Sequence, residues 1–294
     1  MIHLYPHPKQ KGVMMTESLA QHLRWKEKYF VSGKLVFRTP FHIGSGREGV
    51  TGSDFGVLLS SDGKPVLPGS TLKGKFRSDC EKIAHLLGLR SCFLLQVDPD
   101  NLPAELDKCV SNTKYWSRLP EELRKSSGFE RYQQLGLSGG KGAKICDICQ
   151  LFGSTAWGSR VFFEDGQLEH WAGTLERRDG VVIDRDSETA VDKFKFDYEV
   201  VPASTSFRVR FEVENPSNDE LCLITAVLLE WEEGVRLGKG TSRGIGLAEL
   251  QDIEVHKVDF QNAESWLNWL LKKEPSENAY PELTKALEQR FASQ

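Results

Sequence analysis

The amino-acid sequence predicts an α+β fold with an antiparallel sheet. The clearest strand is SFRVRFEVEN at 206–215, where apolar and charged residues alternate and so mark a buried and a solvent-facing side. The clearest helix is at 219–234, where apolar residues recur at helical spacing. No regular strand–helix–strand repeat runs along the chain, which argues against a doubly wound parallel sheet.

The first part of the chain predicts a strand, a loop, a hairpin and a helix, in that order. VSGKLVFR at 31–38 reads as a strand, and the glycine-rich segment 39–56 predicts a long loop. Residues 56–70 predict two short strands around an Asp-Gly turn. A helix is expected from Ser70, whose hydroxyl suits an N-cap, to about Leu87.

One long irregular segment interrupts the remaining elements. Residues 89–145 are too long for an ordinary connection, and they predict an insertion held by something other than a large core. Strands are predicted at 159–165 and 247–258, and the charged, alternating segment 175–204 predicts an extended hairpin. The segment 264–291 predicts two terminal helices.

Composition and charge limit the possible partners and compartments. The 294 residues carry a formal net charge of −4, which argues against a protein that is basic overall but allows a local basic groove. The longest apolar run, at 221–231, is too short to span a bilayer, and the N-terminus lacks the apolar core of a signal peptide. Six cysteines without such a signal favour a reducing compartment, so we expect a cytoplasmic protein with no membrane partner.

The stretch LGKGTSRGIGLAEL contains glycines spaced as in a dinucleotide-binding loop, namely Gly240, Gly244 and Gly246. Such a loop must follow a buried strand and open a helix, whereas here the pattern predicts a helix before it and a strand after it. We therefore reject a nicotinamide-dependent oxidoreductase. Clustered glycines beside Lys239 and Arg243 still suit an anion, and a plain glycine turn with two solvated cations is an equal alternative.

A second basic stretch, LPGSTLKGKFRSDCE at 67–81, predicts a helix that opens with Gly69 and Ser70. The positive end of the helix dipole and the cations Lys73, Lys75 and Arg77 together suit phosphate. The alternative is an ordinary amphipathic helix with a solvated basic face.

The cysteines of CDIC, Cys146 and Cys149, have a spacing that lets two thiolates hold one metal ion. A redox pair is the alternative, but no thioredoxin-like pattern surrounds the motif. Cys92 and Cys109 in the insertion are candidates to complete a tetrahedral Zn²⁺ site that staples this segment. Two side chains of the preceding helix could replace one ligand: His85 and Cys80.

Several of these stretches, taken in chain order, resemble the RAMP superfamily of CRISPR-associated proteins, and most of all the backbone subunit of type III effector complexes. The matching stretches are PFHIGSG (40–46), GSDFGVLL (52–59), LPGSTLKGKFR (67–77), CDICQLFGS (146–154) and GKGTSRGIG (238–246). The resemblance divides the chain into an N-terminal extension at 1–30, a RAMP domain at 31–258 and a C-terminal helical extension at 259–294.

The resemblance implies a modified ferredoxin-like or RRM-like core, with the insertion at 89–145 and a projecting thumb hairpin at 175–204. It implies a ribonucleoprotein complex in which such subunits stack along a guide RNA, with target RNA, other subunits and further copies of the chain as partners. The residues expected to bind RNA are His42, Ser70, Lys73, Lys75, Arg77, Arg185, Lys239, Gly240, Arg243 and Gly244. For His42 a packed side chain, and for Arg185 a surface ion pair, are the alternatives.

Asp54 stands where the resemblance implies the aspartate that cleaves target RNA. Its carboxylate would hold Mg²⁺ or a similar divalent cation while the 2′-hydroxyl attacks, which gives a 2′,3′-cyclic phosphate. A structural loop aspartate is the alternative, since such residues are common in turns; the protein would then be a non-catalytic guide-RNA-binding scaffold. Phe55 departs from the small or aliphatic residue that related chains often carry after this aspartate.

Overall fold

The computed structural model describes residues 24–93, 109, 121–125, 145–154, 158–183, 186, 190–272 and 277–292. The strands are β1 (Glu27–Phe37), β2 (Val161–Phe163), β3 (Gln167–His170), β4 (Glu176–Ile183), β5 (Ala190–Val200), β6 (Ser206–Glu214), β7 (Val235–Arg236) and β8 (Leu247–Asp259). The helices are α1 (Gly69–Ile83), α2 (Glu121–Lys125), α3 (Asp147–Phe152), α4 (Asn218–Glu233), α5 (Ala263–Leu267) and α6 (Tyr280–Ala292). A 3₁₀ turn at Ala84–Leu87 extends α1, and a π-helical turn at Asn268–Lys272 extends α5.

The main sheet has the strand order β2–β6–β1–β8–β7, with β3 also paired to β6. Its paired strands are antiparallel. The run β1–α1–β2–β6–α4–β8 places β1 between β6 and β8, which is the arrangement of a ferredoxin-like split βαβ fold. The predicted α+β fold with an antiparallel sheet is therefore confirmed.

One face of the sheet forms the core, as the alternating pattern of β6 predicts. Its apolar residues Phe207, Val209, Phe211 and Val213 are all buried. The buried side chains Leu72 and Phe76 of α1 and Trp231 of α4 belong to the same core cluster. The predicted helix at 219–234 forms as α4, and Ser217 and Glu220 close a capping box at its N-terminus.

The N-cap of helix α1 lies two residues earlier than the sequence predicts. Pro68, not Ser70, occupies the N-cap position, and the Ser70 side chain is exposed. The first amide of the helix, Gly69 N–H, donates instead to the Asp165 carboxylate at 2.7 Å. The expected Ser70 cap is therefore wrong, because a side chain distant in sequence takes its place.

The predicted hairpin forms as a separate two-stranded sheet of β4 and β5. Its base joins the core through Val200 and Val201, and its far end, including Arg185, lies outside the described residues. Between 56 and 70 the structure has isolated bridges such as Leu59–Pro65 rather than the two predicted strands. Most of the insertion at 89–145 also lies outside the described residues.

Candidate functional site

Loops that are distant in the sequence meet at one groove with a volume of about 360 Å³. The loop after β1, the first turn of α1 and the glycine-rich loop before β8 all contribute to it. Its lining includes His42, Arg47, Phe55, Thr71, Gly238 and Lys239. The structure therefore brings together, in one concave surface, residues from four of the five stretches on which the family resemblance rests.

Two glycines let the glycine-rich loop lie directly on the loop after β1. A Cβ atom on Gly238 would lie 2.3 Å from the carbonyl oxygen of His42, and the residue has φ of +89°. The Lys239 amide donates to that same carbonyl at 2.9 Å, and the Gly246 amide donates to the Pro40 carbonyl at 2.7 Å. Any side chain at Gly238 would push the two loops apart, so this glycine shapes the groove.

The cations of the groove are turned to solvent. Arg47 and Lys239 line the groove and are exposed, as is Arg243 farther along the glycine-rich loop, and no carboxylate of the described residues pairs with these three cations. The ammonium of Lys239 lies 3.8 Å from the centre of the Phe55 ring, a cation–π contact. Arg243 follows Gly240 and precedes Gly244, which both adopt left-handed backbone conformations. These groups leave positive charge available to an anionic ligand.

The cations of α1 have partners inside the protein. Lys73 donates to the Ser159 hydroxyl at 2.7 Å and to the Val161 carbonyl at 3.0 Å. Lys75 pairs with Asp79 at 2.6 Å. RNA binding by these cations stays a prediction, and it requires RNA to replace the internal partners.

Arg77 is the most enclosed of the α1 cations. It pairs with Glu81 at 3.0 Å and donates to the Gly153 carbonyl at 2.9 Å and to the Cys149 sulfur at 3.0 Å. Burial lowers the pKa of Arg77, but the charges of Cys149 and Glu81 raise it by more, so its pKa is raised overall. The guanidinium therefore ties the helix to α3 rather than facing the groove.

Asp54 lies on the exposed rim of the site, beside the base of the hairpin. Its amide donates to the Asp197 carboxylate at 2.8 Å, and the Asp197 amide donates to Asp54 Oδ2 at 3.0 Å. Arg177 of β4 pairs with the other oxygen of Asp197. Within the described residues, Asp54 Oδ1 has no hydrogen-bond partner, so it can accept an external ligand.

Glu199 holds the loop that carries Asp54. Its buried carboxylate accepts hydrogen bonds from the Thr51 amide at 2.7 Å, the Thr51 hydroxyl at 2.8 Å and the Val57 amide at 3.1 Å. Burial raises the pKa of Glu199, but the hydrogen bonds from Thr51 and Val57 outweigh it, so the pKa is lowered overall. The carboxylate is therefore held ionised as the anchor of the loop.

His42 is a buried residue of the groove wall, with an exposed fraction of 2%. Its Nδ1 lies 2.6 Å from the carbonyl oxygen of Glu199. Because a carbonyl only accepts, Nδ1 carries the proton and donates it there. This hydrogen bond fixes the imidazole ring against the base of the hairpin.

The sulfur atoms of Cys92, Cys109, Cys146 and Cys149 form one buried cluster. They lie within 4.8 Å of one another, and those of Cys92 and Cys149 are 3.6 Å apart. Four thiolates on a tetrahedral Zn²⁺ at about 2.3 Å would lie about 3.8 Å apart, so the cluster has a suitable size. It could hold a metal ion such as zinc, and neither Cys80 nor His85 belongs to it.

The thiols of the cluster shift one another's pKa through hydrogen bonds. The pKa of Cys149 is lowered overall: its hydrogen bond with Cys109 raises it, while those with Cys146 and Cys92 lower it by more. Hydrogen bonds from the other thiols raise the pKa of Cys146. A metal ion binds cysteine as the thiolate, so all four thiols would lose their protons on binding it.

Three residues of this site are absent from the sequence-based prediction: Arg47, Asp197 and Glu199. Arg47 lies within the glycine-rich loop after β1, so its charge next to PFHIGSG was a usable signal. Glu199 acts on Thr51, 148 positions away, and no local pattern indicates such a contact.

A comparison with known protein families gives a match. A family model of the RAMP superfamily matches residues 34–249, which is more than half of the chain. No curated protein matches the chain. Among the described residues, every helix is too short or too polar to span a membrane.

Proposed function

The chain belongs to the RAMP superfamily, and from this premise we propose that it is a backbone subunit of a type III CRISPR effector complex that binds guide RNA and cleaves target RNA. Family membership implies a CRISPR-associated RNA-binding function. The groove supports the finer assignment, because it gathers unpaired cations next to an exposed carboxylate. The proposed partners are guide RNA, target RNA, other subunits of the complex and further copies of the chain.

Guide RNA binds, in this proposal, through its phosphates to Arg47, Lys239 and Arg243. All three cations are exposed; Arg47 and Lys239 line the groove, and Arg243 lies on the same glycine-rich loop as Lys239. Gly240 and Gly244 carry no side chain, so a phosphate can approach the backbone of this loop closely. Contacts of this kind fix the RNA backbone without reading its sequence, as a subunit that serves any guide requires.

Cleavage of target RNA is assigned to Asp54. Its Oδ1 can accept a ligand while Oδ2 is held by the Asp197 amide, and Arg177 neutralises the second carboxylate. A divalent cation such as Mg²⁺, held by this carboxylate, would neutralise charge on the scissile phosphate. The 2′-hydroxyl loses its proton to solvent as its oxygen bonds to phosphorus, and the bond to the 5′-oxygen breaks. That oxygen takes up a proton from solvent, which leaves a 2′,3′-cyclic phosphate and a 5′-hydroxyl.

A non-catalytic scaffold is the second candidate function. The reciprocal hydrogen bonds between Asp54 and Asp197 favour it, because they give Asp54 a structural role that needs no reaction. In that case the groove binds guide RNA and no cleavage occurs beside this subunit.

The assembled complex with a guide-matched RNA separates the two functions. We expect Asp54→Ala to stop cleavage at the sites beside this subunit while target binding is retained. Asp62→Ala is a matched control, since Asp62 is also an exposed loop aspartate, paired with Lys64 at 2.7 Å. Cleavage by the Asp54→Ala complex at the same sites would contradict the catalytic assignment and leave the scaffold.

We also propose that the four-cysteine cluster holds a structural Zn²⁺. Metal analysis of the purified protein should find about one Zn²⁺ per chain. Cys146→Ser combined with Cys149→Ser should remove the metal and lower the melting temperature. Cys222→Ser is the matched control, because Cys222 is absent from the cluster. Protein that contains no zinc, or a double variant that keeps it, would contradict this proposal.

A further inference from the structure

Phe55 is an apolar side chain in an unusual place. Its ring is 41% exposed, whereas the phenylalanines of the core, such as Phe37 and Phe207, are fully buried. It lies at the groove and directly follows Asp54 in the sequence, so its Cα is about 3.8 Å from that of the proposed catalytic residue. Leaving such a ring in water costs hydrophobic free energy, which a ligand could recover.

The backbone of Phe55 is fixed against the hairpin base. Its carbonyl accepts a hydrogen bond from the Glu199 amide at 3.0 Å, and it forms a bridge with Tyr198. The ring meets that of Phe196 edge to face, with centroids 6.2 Å apart. The ring is therefore held in place before any ligand arrives, which lowers the entropy cost of stacking on it.

Further rings continue this arrangement along β5. The rings of Phe196 and Tyr198 are 6.3 Å apart and nearly parallel, and Tyr198 meets His42 at 6.0 Å. Gly180 of β4 makes room for Phe196, since a Cβ there would lie 2.4 Å from the ring. Of this aromatic row, Phe55 is the exposed end, while His42 is the buried end.

Two cations share the groove with the exposed ring. The Lys239 ammonium lies 3.8 Å from the ring centre, and Arg47 lines the same groove. Aromatic rings combined with cations are the groups on which proteins stack the bases of single-stranded nucleic acid while they hold its phosphates. An ordinary hydrophobic anchor would instead be buried.

We propose that Phe55 forms a nucleobase-stacking subsite, in which its ring binds one base of the target RNA beside the phosphate that Asp54 addresses. The inference rests on the proposed RNA-binding function and adds a contact to it. Stacking is tolerant of base identity, because each base has a π face. The subsite therefore positions the nucleotide at the cleavage point for any target sequence.

The experiment combines substitutions in the protein with abasic nucleotides in the RNA. Complexes carrying Asp54→Asn, which keeps the side-chain shape but should not cleave, are titrated with guide-matched targets. Each target has one abasic nucleotide near the cleavage site. With Phe55 present, we expect one abasic position to weaken binding about ten-fold, as the loss of one stacked base does.

The expected coupling is specific to that position. Phe55→Ala should weaken binding of the intact target about ten-fold, and the same abasic nucleotide should then cause no further loss of affinity. Phe55→Trp should restore the difference in affinity between the intact and the abasic target. Phe55→Leu keeps an apolar side chain without a ring, and it should behave like the alanine variant.

Three outcomes would overturn the proposal. One is an abasic penalty that is equal with and without Phe55 at each position, and another is a leucine variant that equals the parent. The third is a parent complex that binds no target, which would refute the proposed RNA-binding function as well. Because affinity is read rather than cleavage, an inactive Asp54 would leave this test intact.

Discussion

Helix α1 and the glycine-rich loop carry similar basic patterns, but the structure uses their charges differently. Arg77 of α1 has its guanidinium bonded to Glu81, Gly153 and Cys149, and its side chain is only 13% exposed. Arg243 of the loop is exposed, and no carboxylate of the described chain pairs with it. A basic motif therefore supplies charge to a ligand only where the fold leaves its basic side chains unpaired.

The backbone of helix α1 and that of the glycine-rich loop show the same contrast. The first amide of α1 is already bound to the Asp165 carboxylate at 2.7 Å, which satisfies the positive end of the helix internally. In the loop, Gly240 and Gly244 take left-handed conformations, and Gly244 is exposed with open space beside it. An RNA phosphate therefore meets less competition at the loop than at the helix.

The largest expected effect on stability is that of Arg77→Ala. Removing the guanidinium leaves the Glu81 carboxylate, the Gly153 carbonyl and the Cys149 sulfur without a charged donor, which should cost about 3 kcal/mol of unfolding free energy. Chemical denaturation of the wild type and the variant measures this loss of unfolding free energy.

Lys82→Ala is the control for Arg77→Ala. Lys82 is an exposed cation of the same helix, 64% accessible and 3.5 Å from Asp79, and its removal should change stability by less than about 0.5 kcal/mol. If both variants lowered the unfolding free energy equally, the distinction between the enclosed and the solvated cations of α1 would be wrong.

A smaller effect is expected for Glu199→Gln, which tests the anchor of the Asp54 loop. Glutamine keeps the size but loses the charge, so the hydrogen bonds from Thr51 and Val57 weaken by about 1 to 2 kcal/mol in total. Thermal unfolding at pH 7 measures this loss.

The pH dependence of that variant follows from the lowered pKa of Glu199. In the unfolded chain the carboxyl group takes up a proton near its ordinary value of 4.5, but in the folded protein only at lower pH. Its contribution is therefore complete above about pH 5 and is lost as the pH falls through the folded pKa. The difference in unfolding free energy between the wild type and Glu199→Gln should therefore become smaller at acid pH. A difference that does not change with pH would show that the charge of Glu199 contributes nothing to stability.

Local patterns predict much of the fold and less of the site. The alternation of β6 and the periodicity of α4 report burial directly, so both elements form where the sequence indicates. The four cysteines, grouped from their spacing and their place in the insertion, do come together. Hydrogen bonds across the fold, such as those from the Gly69 amide to Asp165 and from the Thr51 amide to Glu199, join residues 96 and 148 positions apart and leave no local pattern.

Guide-RNA binding by variants of the two regions tests most directly whether unpaired cations, and not paired ones, bind RNA. The affinity of the chain for guide RNA is titrated at several salt concentrations for Arg243→Ala, Lys239→Ala and Lys75→Ala, with Arg243→Glu as the stronger change. Each loop substitution should weaken binding several-fold and reduce the salt slope by about 0.7, the value for one lost phosphate contact on a single strand. Lys75→Ala, which removes a cation already paired with Asp79, should leave both nearly unchanged. If the helix and loop substitutions weakened guide-RNA binding equally, or if the loop substitutions did not weaken it, pairing within the protein would not decide which cations bind RNA.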